Sequence, residues 1–203
     1  MKRIFEKKVA AGRTGTQARV GVERLEGREL MATGFTLVDT LNAKDAIDLD
    51  RLGAFAGIET LRTQNVTQLQ TVIANGAAAT QALGSRFAAL QVQYSAAVAA
   101  GDAESATALK ESERIVLTTG ANVRAAMRLA TSVASATDNA LIADENQVNA
   151  IYRAAVGNLS RHANPFTLVP PVVNALTVVT TTAQTQAIHG SAALRAINFK
   201  LTG

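Results

Sequence analysis

The chain has 203 residues, 48% of them hydrophobic, enough for one domain with a real core plus a tail. With no Cys, disulfides, thiolate metal sites and cysteine nucleophiles are excluded; with 4% aromatics and no Trp, so is an aromatic-lined pocket for sugars or bases. The net charge of +4 sits wholly in residues 1–30, where eight Lys or Arg stand against four Glu. The remainder is neutral, which argues against a nucleic-acid-binding body.

Residues 1–32 read as a basic, disordered leader. Their longest candidate run, Val9-Ala10-Ala11-Gly12, falls short of the roughly 7–15 residues a secretory signal needs. The leader ends in Leu25-Glu26-Gly27-Arg28-Glu29-Leu30-Met31. This segment resembles the LEPR-XLL segment near the N-terminus of planctomycete surface and exported proteins. Leu25, Glu26, Arg28 and Leu30 carry the match, while Gly27 stands in place of Pro and Met31 in place of Leu. The resemblance implies a sorting or export tag, hence export machinery as a partner and an exported or cell-envelope location. Without it the chain would be assigned to the cytoplasm. It covers seven residues and implies nothing about the body.

Residues 33–56 read as a transitional segment with one short helix, for which Asp39 is the expected N-cap. From residue 57 a heptad seam appears: Val66, Leu69, Ile73, Gly76, Thr80, Leu83, Phe87, Leu90, Tyr94 and Ala97 alternate spacings of three and four. Gly101 supplies a C-terminal stop and Asp102 the next N-cap. The seam resumes at Ala106 and runs through Leu109, Glu113, Val116, Gly120, Val123, Met127 and Ala130 to Val148 and Ile151.

Two helices, about 57–100 and 102–156, joined by a tight turn make an antiparallel, coiled-coil-like hairpin. A turn centred between Gly101 and Asp102 sets the register. It places Leu83 opposite Gly120 and Met127 opposite Gly76, large against small. Glu113 opposite Leu90 is a flaw, to be relieved by snorkelling or by an Arg.

Residues 157–166 read as a loop. Pro170-Pro171 opens a third apolar segment, about 171–197, with Leu176, Val179, Ala183, Ala187, Gly190, Leu194 and Ile197 at helical spacing. The valines of its first half also permit a strand. No Asp, Glu, Lys or Arg occurs between Arg161 and Arg195, so this helix is expected to be buried on most sides. The expected fold is therefore all-α, with residues 57–198 forming a small helical bundle.

Chemistry-bearing patterns are sparse. Asp48, Asp50, Gly53 and Glu59 trace the outline of a calcium loop, but Leu52 occupies a ligand position and Arg51 puts positive charge inside it. The only two histidines, His162 and His189, lack a second ligand at zinc spacing. His162 reads as an exposed loop residue and His189 as packed or hydrogen-bonded. No nucleophile elbow or phosphate-cradling glycine loop is present.

The sequence thus points to a non-enzymatic structural or protein-interaction protein without a cofactor. Self-association, or another helical protein, is the expected partner. No small-molecule substrate is evident. Two alternatives are a membrane-interacting hairpin, against which Thr180–Thr182, Gln184 and Gln186 count, and nucleic-acid binding through the basic leader alone.

Overall fold

A computed structural model of the chain describes residues 34–202. The leader and the tag-like residues Leu25, Glu26, Arg28 and Leu30 lie outside the described residues. The described chain is three long α-helices, α1 (Leu37–Ala99), α2 (Ala103–Ser160) and α3 (Pro165–Thr202), packed as an all-α bundle without a strand among the described residues. At about 1.5 Å per residue, α1 alone is roughly 95 Å long.

The start of α1 departs from the sequence expectation. Among the described residues of this segment, 34–56, there is no separate short helix; one helix runs unbroken from Leu37. Its N-cap is Thr36, not Asp39. Asp39 is the third helical residue, and its carboxylate accepts from the Thr36 backbone N–H at 2.8 Å while Thr36 Oγ1 accepts from the Asp39 N–H at 3.2 Å. This reciprocal capping box satisfies two N–H groups that a helix start otherwise leaves unpaired.

The α1–α2 turn forms at the expected place. Gly101 takes a positive φ of 71°, and the Asp102 N–H reaches back to the Ala97 carbonyl at 3.0 Å. Asp102 then caps α2, its carboxylate accepting from the Ser105 N–H at 3.0 Å.

The second connection is shorter than expected. Residues 157–160 remain helical because Leu159 is buried against the core, and α3 begins at Pro165, not near 171. Asn164 accepts from the Phe166 N–H, and Pro165 fills the first helical position, where its missing N–H costs nothing. Pro170 and Pro171 lie inside the first turns on the exposed side, so the carbonyls they leave unpaired face water.

The core lies in the half of the bundle where all three helices run side by side. Ile47 and Ile58 of α1, Leu141 and Val148 of α2, and Leu176 and Ala183 of α3 form one cluster. A second contains Val72, Ala130, Ala134, Leu194 and Ile197. Each fully buried Ile or Leu contributes about 1.5–3 kcal/mol.

The third helix turns the buried face of α1. Ile58, Asn65 and Val72 point inward, whereas Val66 and Ile73 of the expected seam are 48% and 40% exposed. Without α3, the seam would face α2 alone; with α3, the inward direction lies between the two partners.

The α3 helix ends near the level of Asn75, whose side chain donates to Asn198. Beyond it α1 and α2 continue as a bare two-helix arm, roughly 30 Å long at 1.5 Å per residue. On α1 no residue after Gly76 is buried; on α2 Glu113, Val116, Gly120 and Val123 are.

Candidate interaction surfaces

The residues singled out from the sequence do not converge on a reaction centre. Asp48, Asp50, Gly53 and Glu59 all lie within the continuous α1 helix, so the looped ligand shell does not form. Asp48 is held by Lys44 at 2.7 Å and Arg51 at 3.7 Å. The Lys44 hydrogen bond, with help from Tyr152, holds the Asp48 carboxyl below its usual range and lifts Lys44 above its own. Glu59 faces Arg62 at 3.2 Å. Among the described residues no three His, Asp or Glu side chains gather in a metal-binding geometry.

Both histidines are exposed. For His189 this corrects the packed reading, since its position falls on the outward side of α3. His162 has a positive φ of 62°, and its place beyond the α2 C-cap explains why. The Ala163 N–H bonds the Asn158 carbonyl at 3.1 Å, closing the same helix-ending turn that Gly101 makes at the end of α1.

The hairpin contacts divide. Gly76 lies beneath Met127: a Cβ on the glycine would fall 2.6 Å from Met127 Cγ. The expected nesting of Leu83 on Gly120 is absent. A Cβ there would meet only Arg124 Nη1, at 3.6 Å, and Leu83 stays half-exposed. Seen across a two-helix arm with no third partner, that layer is open on one side. Glu113 is buried and finds Lys110 at 3.2 Å, not an Arg; the Lys110 ammonium also stands 4.6 Å from the centre of the Tyr94 ring. This chain of contacts carries the flawed layer of the seam.

Two polar features at the base escaped the sequence reading. Arg62 crosses from α1 to α2, bonding Asp138 at 2.8 Å and Glu145 at 3.4 Å. The Asp138 hydrogen bond holds its guanidinium in the charged form well above its ordinary range. Asp144 is 5% exposed, and its Oδ2 has no hydrogen-bond partner; burial raises its pKa. Asp144 stands three residues after Leu141 and four before Val148, so the seam spacing accounts for its burial but not for its isolation.

A groove runs between α1 and α3, lined by residues of these two helices and by none of α2. These helices run parallel. Asn75 sits beside Asn198, 123 positions later, and Gly57 beside Thr180 at the same offset. Three concavities follow one another along this line, the first bounded by Leu49, Gly53 and Thr177, the second by Gln64 and Ile188, the third by Thr71 and Asn198. The widest holds about 350 Å³ around Gly53, where nothing lies within 4 Å of a would-be Cβ.

The α3 helix is not buried on most sides. One face packs inward; outward stand Phe166, Val178, Ile188 and Phe199, each 64–75% exposed. The intervening Thr177, Thr181, Thr182 and Thr185 each donate their hydroxyl to the carbonyl four residues earlier, at 2.9–3.0 Å. Their protons are spent within the helix, so this surface is less polar than its Thr content implies.

Comparison with protein-family models, characterised proteins and solved structures finds no match for the chain.

Proposed function

We propose that this chain is a non-enzymatic structural or protein-interaction protein whose three-helix base associates with itself and holds the two-helix arm away from that junction. The observation that carries this reading is the outward side of α3, which is free of charge as far as Arg195 and exposes four large apolar side chains along the helix. Surfaces of this kind are characteristic of association sites. The arm presents mainly Ala, Gln, Ser and Thr around a thin seam, a composition suited to a spacer. The test is mass in solution by sedimentation across a wide concentration range. Oligomers supported at micromolar protein favour the reading; a strict monomer at millimolar protein removes it.

The leader's resemblance to LEPR-XLL segments favours an exported or envelope-associated location. Determining the N-terminus of the protein from fractionated cells tests this: recovery in the cytoplasm with residues 1–32 intact goes against it.

A second reading is supported by α3 itself, a helix long and apolar enough by length and composition to cross a membrane. In that reading the base opens and α3 enters lipid. Liposome flotation separates the two, since a soluble oligomer does not co-migrate with vesicles.

A further inference from the structure

The α1–α3 groove has a charge layout that selects its occupant. Near one end, lining its widest part, is Asp50; near the other is Arg195. Neither has an ion-pair partner among the described residues, and Arg195 bonds only the Ser191 hydroxyl, at 2.8 Å. Between them the groove carries no charge on α3, and its α1 edge, with Gly53, Leu61, Gln64, Gln68 and Thr71, is uncharged too. A single negative end and a single positive end on one face are self-complementary under an antiparallel two-fold rotation.

We propose that the groove is closed by the same groove of a second copy, running antiparallel, with Asp50 of each chain against the partner's Arg195. This rests on the self-association reading above and specifies its surface.

Steric matching agrees with the charges. The constant offset between α1 and α3 puts Asp50 at the level of Val173, so the two-fold axis crosses α3 close to Gln184. Rotation about that axis brings Ile188, 66% exposed, over the partner's Thr181 and the partner's Gly57, where the groove floor lacks a side chain. It also brings Phe199, 75% exposed, to the level of the partner's Pro170, which lies outward on the first turns of its helix. Projecting groups thus meet hollows or flat rings. The result is a four-helix layer whose α3 helices cover one another. A parallel arrangement would instead stack Asp50 beside Asp50 level for level and leave both cations unmatched.

The full chain is tested by sedimentation equilibrium with charge reversal. Asp50→Arg and Arg195→Asp should each weaken dimerisation about tenfold or more, and the double reversal should return it to near the parent value. Circular dichroism establishes that each variant keeps its helix content. Because the chain has no Cys, a Thr181→Cys/Ile188→Cys variant gives a second readout. Seven residues apart on one helix, about 10 Å, the two thiols are too distant to join within a chain, so an oxidised dimer of the double variant, with neither single-Cys variant crosslinking to itself as a parallel pairing would require, reports the antiparallel contact.

A dimer indifferent to both reversals, with no crosslink, overturns the groove assignment and leaves self-association standing. A monomer at all concentrations overturns both. A monomer that floats with vesicles of neutral lipid gives the groove to lipid. Dimerisation appearing only after residues 1–33 are removed gives it to the chain's own leader.

Discussion

Gly190 of α3 faces Thr137 of α2 with no room for a methyl group: a Cβ on the glycine would lie 2.9 Å from Thr137 Cγ2 and closer still to its hydroxyl. Thr137 cannot easily turn away. Its branched side chain is stiff, and its hydroxyl is tied to the Val133 carbonyl at 3.0 Å. The backbones of α2 and α3 therefore approach closely where the two core clusters meet.

Gly190→Ala should destabilise the fold by about 1–3 kcal/mol despite the better helix propensity of Ala. Pairing it with Thr137→Ala should recover much of that loss. Gly76→Ala, opposed by the flexible thioether of Met127, should cost less. Thermal and urea unfolding of the three variants give the order; equal losses at the two glycines would contradict the argument.

His162→Gly should stabilise the protein by about 1 kcal/mol. The residue holds a left-handed conformation, which carries a steric cost for any side chain, and its ring is exposed. The gain is read as a rise in the urea midpoint with an unchanged slope. His162→Ala, which keeps the Cβ, should give none of it.

Asp144→Asn tests the unpaired carboxylate. Burial raises the folded-state pKa above the unfolded value, so in the window between them the folded chain keeps a proton that the unfolded chain has lost. Stability therefore falls as pH rises from the ordinary Asp range, and the penalty is complete above the folded-state pKa. The variant should be more stable near pH 7, by on the order of 1 kcal/mol, and lose that advantage towards pH 3. A pH-independent difference would point to packing instead.

Arg62→Met should lower stability by about 1 kcal/mol, because Asp138 and Glu145 lose their shared cation while the aliphatic stem is kept. The loss should shrink in 1 M salt. Double-mutant cycles with Asp138→Asn and Glu145→Gln separate the two arms, and Asp138, bonded at 2.8 Å against 3.4 Å, should show the larger coupling.

Much of the helical layout was written in the residues. Apart from the half-buried Met127, the seam of α2 from Val116 through Ala134 to Val148 is buried, as are Leu176, Val179, Ala183 and Leu194 of α3, because a spacing of three and four fixes one face whatever covers it. Gly101 and Asp102 mark the turn for reasons local to themselves. What failed depended on neighbours distant in sequence. Val66 and Ile73 are apolar and correctly spaced, yet α3 draws the inward direction to Asn65 and Val72. Asn65 is tolerated there because its amide donates to the Ala134 carbonyl at 2.8 Å, a partner 69 residues away. Asp39 misled for a different reason: an acid three residues into a helix and an acid at its cap look alike until the preceding Thr is given its role. Among the surface residues, nothing in the spacing of Asp50 and Arg195 reveals that they end on one groove; only the parallel alignment of α1 and α3 does.

The α1 and α2 rods cross the level where α3 stops without a glycine turn, a proline or a break in either helix. The overhang is thus a cantilever clamped at one end, and it bends by elastic flexure of paired helices, not by swinging on a joint. Anything that grips the tip near Gly101 would transmit its load straight into the clamped cores around Val72 and Leu194, so the direction in which the tip points is governed by the orientation of the base.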